Sequence, residues 1–450
     1  FCAILICMKS IEIGNGTFDK LIEAGNIYVD KTGILYNLIT SGSTYFFCSR
    51  PRRFGKTLAL STLEAVFRGK KELFRGLSIY DADYDWKEYP VIHIDLGSIQ
   101  ASDADELKSK LLLMLDDIIS QYSLRIDRTE YYDINLKRII CRLSEQEKAV
   151  ILIDEYDKIL TSNIYNPHAE EMRDVLRGFF EVIKAQSRCI RFAFITGVTK
   201  FAKVSIFSSM NNLNDISMDE EYAELFGYTE EELEHYFGAY IERGMKATGL
   251  SYDEYMSELA RKYNGNRFSP DSEITVYNPV SIGLFFSKGG KNFDNYWVDT
   301  GNTKLLMDAA RKACFDISKD VTAPISRSDI AVFDILSMAS SSIDPYAYRS
   351  LLFQTGYLTI KGIDRKNRDA YILDFPNDEV AEAYSGNLLG LYAGDRAAGM
   401  LRASGIRTSF SEGDTEDAIE EMKSIYAAIP YDLLKRADEA HYSTAFFCIM

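Results

Sequence analysis

Arg50 to Thr57 reads Arg-Pro-Arg-Arg-Phe-Gly-Lys-Thr, and Ala149 to Asp157 reads Ala-Val-Ile-Leu-Ile-Asp-Glu-Tyr-Asp. These residue types, in this order, suit the handling of a phosphate chain. A tight turn into a helix aims backbone N–H groups at an anion, a lysine neutralises phosphate oxygens, and the following hydroxyl can ligate Mg²⁺. Gly55, Lys56 and Thr57 fill those parts, with Arg52, Arg53, Phe54 and Leu58 completing the loop. The second segment is an apolar run that would deliver two carboxylates from its tip. Asp154 could hold Mg²⁺ through water, and Glu155 could activate an attacking water. The motif G-x-x-x-x-G-K-[ST] has glycine where this chain has Arg50, a slot in which glycine lets the backbone turn without a Cβ clash. Alone, Gly-Lys-Thr also fits an ordinary helix start. Its pairing with an apolar strand ending in Asp154-Glu155 points to a nucleotide site binding ATP and Mg²⁺.

These groups need elements that bring them together. A β-prone run, Tyr45 to Cys48, precedes the loop, and Leu58, Leu60, Leu63, Val66 and Phe67 follow at helical spacing. Further strands are expected at Val91–Leu96, Val150–Ile153 and Arg191–Thr196. Helices are expected at Asp105–Tyr122 and Glu170–Ala185. Strands alternating with helices predict an α/β core with a parallel sheet. Ligands of such sheets sit at the carboxyl ends of the strands. Thr196, Thr199 and Lys200 therefore emerge beside Asp154, able to sense a γ-phosphate or hold a water; a helix N-cap or turn role is the competing reading for each threonine.

Composition bounds the rest. The chain has 450 residues, 46% of them hydrophobic, enough for two or three cores. Sixty-seven acidic against 51 basic residues leave a net charge of −16, the wrong sign for coating nucleic acid or an anionic membrane. Seven scattered cysteines and four scattered histidines suit reduced thiols and offer no metal-ligand spacing. No run approaches the ~20 apolar residues of a membrane span, and a cytoplasmic location is expected. Residues 1–7 lack a basic n-region and a cleavage site. Met8-Lys9 reads as a more natural beginning, with 1–7 as a non-native leader.

Several segments resemble the AAA-ATPase-like family of bacteria and archaea. They are Tyr28-Val29-Asp30-Lys31-Thr32, Arg50 to Thr57, Leu152 to Asp157, Phe194 to Lys200 and Asn211 to Ser217, with Phe226 to Glu232 after them. Further on, Tyr263 to Phe268, Val276 to Pro279, Tyr296-Trp297 and Thr300-Gly301 fall in the family's order, and the likeness runs from about Met8 to about Met450. The resemblance implies that Arg50 belongs to the family's own form of the loop. One departure is Asn266, where the family generally has an aromatic. It also implies a P-loop NTPase core over 8–220 and a helical lid over 221–327. The lid contains helices Glu230–Thr248 and Tyr252–Tyr263, the first opened by a Thr229 capping arrangement. Arg243 and Arg267 are candidates for a lid arginine reaching the γ-phosphate, an exposed solvated arginine being the alternative.

Residues 328–380 read as helix, helix, hairpin, the order of a winged helix. One apolar stripe is Ile330, Phe333, Leu336 and Met338; the second includes Tyr348, Leu351 and Leu352; the strands are Tyr357–Ile360 and Ala370–Leu373. The basic tip (Lys361, Arg365, Lys366, Arg368) could touch nucleic-acid phosphate or simply be solvated. Many relatives continue into a PD-(D/E)XK nuclease domain. Here 381–450 would be only its helical approach, and Glu421-Met422-Lys423 lies in a helical pattern with no partner strand, so no nuclease activity is expected. The functional expectation is Mg-ATP binding with slow hydrolysis by Glu155 and Lys56, coupled to movement of lid and winged helix, with self-association a further option. The competing readings are a non-hydrolysing nucleotide switch or scaffold for a nuclease domain, and a winged-helix DNA-binding protein.

Overall fold

The computed structural model describes residues 8–14, 16–200, 206–207, 210, 212–297, 303–313, 315–330, 343–393, 396–428 and 439–449. The apolar runs form strands β1 (Tyr45–Ser49), β2 (Val91–Asp95), β3 (Ala149–Asp154) and β4 (Ile190–Gly197), joined by a short β5 (Leu213–Asp215). All pair in parallel in the order β2-β3-β4-β1-β5. Their carboxyl ends therefore share one edge, and β4 lies between the strand that feeds the loop and the strand that carries Asp154.

Strand alternation sorts the side chains onto two faces. Phe47, Ile92, Ile94, Ile151 and Ile153 join the cluster under helices Ala104–Gln121, Tyr132–Leu143 and Ala169–Ala185. Phe46, Cys48, Val150, Leu152, Phe192 and Phe194 face helix Lys56–Phe67, with Leu60, Leu63 and Phe67. Burial on both faces is why these strands are apolar throughout. The chain is an α/β P-loop NTPase core followed by helical regions.

The first helical region has its own core, in which Leu233, Phe237, Tyr255, Leu259, Tyr263, Phe285 and Phe286 surround Val29 of the core domain. Helix Glu230–Thr248 opens with the expected capping box: Thr229 Oγ1 accepts from Glu232 N at 3.2 Å, and Glu232 accepts from Thr229 N at 2.9 Å. A second box, Ser251 with Glu254, opens helix Tyr252–Tyr263.

Farther along, β6 (Ile325–Ser326), β7 (Thr359–Ile363) and β8 (Ala370–Asp374) form an antiparallel sheet in the order β6-β8-β7. The expected second helix appears as Pro345–Gln354, and the hairpin follows it. Its first strand begins at Thr359 rather than Tyr357, because the N–H groups of Tyr357 and Leu358 both donate to Leu352 O to close the preceding helix. Phe333, Leu336 and Met338 lie outside the described residues. Lys361, also exposed, sits within β7 and donates to Pro376 O at 3.2 Å, so the basic residues of the tip itself are Arg365, Lys366 and Arg368.

After Asp374 the described residues form only helices, and Glu421 to Lys423 falls within Thr415–Ala428. Helix Asp378–Ala393 docks on the first helical region. Its buried Glu379 accepts from Ser281 Oγ at 2.7 Å, from Trp297 N at 2.8 Å and from Tyr296 N, while Glu382 pairs with Lys262 at 2.9 Å. Among the described residues no helix is long and apolar enough to cross a membrane.

Candidate nucleotide-binding site

The loop after β1 turns at two left-handed residues, Arg53 (φ 68°) and Gly55 (φ 91°). Arg50 is not one of them. Its slot needs no positive φ, and a side chain there serves a different purpose. Arg50 is buried, donates to Ser49 O at 3.0 Å, Ser217 O at 2.5 Å and Tyr222 O at 3.3 Å, and lies 4.3 Å over the Phe268 ring. It ties the end of β1 to the segment after β5 and to the helical region.

Gly55 stands at the N-terminus of helix Lys56–Phe67, so the helix's first N–H groups open onto the loop. Lys56 is buried, and its Nζ donates to Arg50 O and Pro51 O, each at 2.9 Å. Burial pulls its pKa below the usual lysine range, against the support of Asp154, Asp157 and Glu155. An ammonium bonded only to carbonyls is suited to an incoming anion. Phe54 turns its ring inward against Phe268, 5.2 Å between centroids, leaving only its backbone for a ligand.

The two halves meet directly. Thr57 Oγ1 donates to Asp154 Oδ2 at 2.6 Å, and Thr196 Oγ1 donates to Asp154 Oδ1 at 2.6 Å. The hydroxyl and carboxylate expected to hold Mg²⁺ are thus in contact, with Asp154 buried and oriented by Thr196. Glu155 follows in a left-handed conformation (φ 48°), a strained state for a side chain of this kind. A Cβ on Gly97 would strike its carboxylate, so glycine there makes the room. Burial raises the Glu155 pKa above the ordinary glutamate value, with Lys56 opposing. Thr199 is placed elsewhere: its Oγ1 and N both donate to Asp157 Oδ2, at 2.7 and 2.8 Å. Asp157, given no part by the sequence motif, gathers the chain beyond β4. Lys200 pairs with Asp215 of β5 and gives its N–H to Gln354 Oε1 at 2.8 Å.

A cavity of about 560 Å³ opens over the loop, a size typical of small-molecule sites. Arg52 to Leu58 and Glu155 line one end. Ile13, Ile27, Val29, Gly227, Pro279 and Leu284 add apolar lining from the core and the first helical region. Thr196 and Thr199 do not line it. Lys31, also on the cavity wall, is bound to Glu232 at 2.5 Å, which bridges the core to helix Glu230–Thr248. The signal for these wall residues was present in Tyr28 to Thr32, Phe226 to Tyr228 and Val276 to Pro279, though motif reading gave them no task.

The two candidate lid arginines are committed elsewhere. Arg267 is buried and bonded to Ser269 O at 3.0 Å, Pro270 O at 2.9 Å and Glu273 at 3.1 Å, so it is neither a phosphate contact nor a solvated side chain. Arg243 donates to Phe286 O and stacks over Tyr240.

Comparison with known proteins agrees with this geometry. The family model described as "Predicted AAA-ATPase" matches residues 12–207, the stretch containing the loop, β3 and β4. The chain is 34% identical to an uncharacterised protein in the vnfD 5′ region of Azotobacter chroococcum mcd 1, over 98% of this chain and 82% of the relative.

Proposed function

The chain belongs to the AAA-ATPase-like family, and from that premise we propose that it binds Mg-ATP and slowly hydrolyses it at Lys56, Thr57, Asp154 and Glu155. The observation that carries this reading is the 2.6 Å bond between Thr57 and Asp154, made across the two halves of the motif at the phosphate end of a nucleotide-sized cavity.

The roles follow from the contacts. Lys56 exchanges its two carbonyl partners for phosphate oxygens, while backbone N–H groups of Gly55 to Leu58 bind the same anion. Thr57 and Asp154 would hold the metal, with Thr196 fixing the Asp154 carboxylate. Bound there, Mg²⁺ would offset charge on the phosphate oxygens. Glu155 accepts a proton from the attacking water, and its raised pKa makes it a stronger base at neutral pH. The apolar lining from Ile13, Ile27, Val29, Pro279 and Leu284 receives the base. Arg52 or Arg53, both on the cavity wall, approaches phosphates of the same or a neighbouring copy. Hydrolysis is transmitted to the helical region through Lys31 and Glu232, and to the hairpin-bearing region behind the loop.

Titration with a fluorescent ATP analogue tests the binding. Losing charge-assisted hydrogen bonds of about 1.5–3 kcal/mol, Lys56→Ala should bind about 10- to 100-fold more weakly; a wild-type chain with no affinity in the millimolar range would end the reading. Turnover tests the chemistry. Glu155→Gln should lose about 100-fold or more in rate while keeping affinity, and Asp154→Asn should weaken the Mg²⁺-dependent part of binding. Wild-type turnover should rise with pH through the raised Glu155 pKa, and this limb should vanish in Glu155→Gln. Equal turnover in the two proteins would instead favour a nucleotide switch that does not hydrolyse.

A further inference from the structure

We propose that Gln354 and Gly356, in the turn that ends helix Pro345–Gln354, are positioning residues of the nucleotide site: this single turn clamps both loops that flank Lys56. The inference rests on the nucleotide reading for its consequence, but the clamp itself is a matter of contacts.

The first loop is held through Pro51. Its carbonyl accepts one of the two Lys56 bonds, and its ring lies against Gly356 so closely that an added Cβ would fall 2.7 Å from Pro51 Cβ and Cγ. Gly356 also has φ +87°, which only glycine adopts without strain. The turn is well defined: Gly356 N donates to Phe353 O, and Tyr357 N to Leu352 O. The second loop is held through Lys200. Its N–H donates to Gln354 Oε1 one residue after Thr199 is fixed on Asp157, and four residues after Thr196 meets Asp154. The Gln354 amide is buried and oriented from its other side, with Nε2 donating to Ser350 Oγ at 3.1 Å and Ile330 O at 3.4 Å.

Between these contacts, Ser49, Arg50, Pro51, Lys200, Phe353 and Gln354 line a void of about 30 Å³, room for a water but for no side chain. The seam is therefore close-fitting without being fully packed, and the turn can shift by a fraction of a side chain. When Lys56 leaves the Pro51 carbonyl for a phosphate, the ring that rests on Gly356 is released with it. The same turn feels any change at Thr196 and Thr199 through Lys200. Movement of the C-terminal regions is then a readout of phosphate occupancy, and those regions in turn set how readily Lys56 is freed.

Hydrogen exchange on the full chain tests this in three arms. In the nucleotide-free protein, Gln354→Leu should speed exchange in peptides covering 194–200 by about fivefold or more, the loss of roughly one hydrogen bond. Gly356→Ala should do so for 50–57, and the control Thr355→Ala, in the same turn, should do neither. Both loops unchanged would overturn the proposal. In the wild-type chain, an ATP analogue with Mg²⁺ should speed exchange over 350–358 as the Pro51 ring lets go of Gly356; no change or a slowing there in a protein that binds the analogue would also overturn it. Finally, Gln354→Leu and Gly356→Ala should alter analogue affinity several-fold while Thr355→Ala does not, and unaltered affinity in both would leave a packing contact only. If the loops respond but the wild type binds no nucleotide, the proposed function fails and the clamp stands.

Discussion

Arg50 changes the meaning of the loop motif at the level of one side chain. Compared with the glycine-containing pattern, it reads as a defect; in the fold it is a buried connector with three carbonyl partners and an aromatic ring beneath its guanidinium. Restoring glycine should therefore harm the protein. Arg50→Gly removes the side-chain donor from the carbonyls of Ser49 and Ser217 and one of the two donors to Tyr222 O, which keeps Leu225 N, and it leaves a hole beside Phe268. At about 1–3 kcal/mol for each unmet buried group, less what water entering the hole recovers, a loss of about 3 kcal/mol or more in urea-unfolding free energy is expected, with no gain in ATP-analogue affinity. A variant as stable as wild type would show that Arg50 contributes no net bonding. The left-handed residues that do shape the loop, Arg53 and Gly55, are on the other side of the turn.

At the scale of elements, the strands were readable because each is a short apolar run bounded by polar residues, and parallel pairing buries both faces. β1 to β4 fall within a residue or two of where the sequence places them, as does helix Glu230–Thr248, whose capping box is a local signal. Contacts between elements were not readable. Nothing near Gln354 in sequence announces Lys200, and nothing near Asp157 announces the donors beyond β4, since both depend on segments brought together only by the finished fold. Glu379 is another such case. Burial raises its pKa, while Ser281 Oγ and the N–H groups of Tyr296 and Trp297 pull it down. A carboxyl raised in the folded state contributes stability that is present at low pH and lost as pH rises through the folded pKa. Glu379→Gln keeps the acceptor for the two N–H groups, and its amide can donate to Ser281. The variant should thus unfold at a midpoint less sensitive to pH from about pH 4 upward, the ordinary glutamate range, and should be at least as stable as wild type at neutral pH. Thermal melts across that range would check it; a variant markedly less stable at neutral pH would mean that the charged form is needed.

Over the whole molecule, one contiguous apolar cluster reaches from Tyr45 and Phe47 in the sheet through Tyr348, Leu351 and Leu373 behind the hairpin to Leu388, Ile406 and Ile449 in the last helices. The proposed nucleotide site draws its motif residues from the first half of the chain, yet its loops rest on the turn at Gln354 and Gly356, and its cavity is walled by Pro279 and Leu284. Site and support are built from different ends of the sequence. That arrangement bears on how the protein is made. During synthesis the sheet leaves the ribosome well before the later helices that share its apolar cluster, so an early folding core carries uncovered hydrophobic surface until those helices arrive. Slow closure of such distant contacts exposes the nascent chain to aggregation, and a holdase chaperone would have its longest task between emergence of β5 and emergence of the helix ending at Ile449.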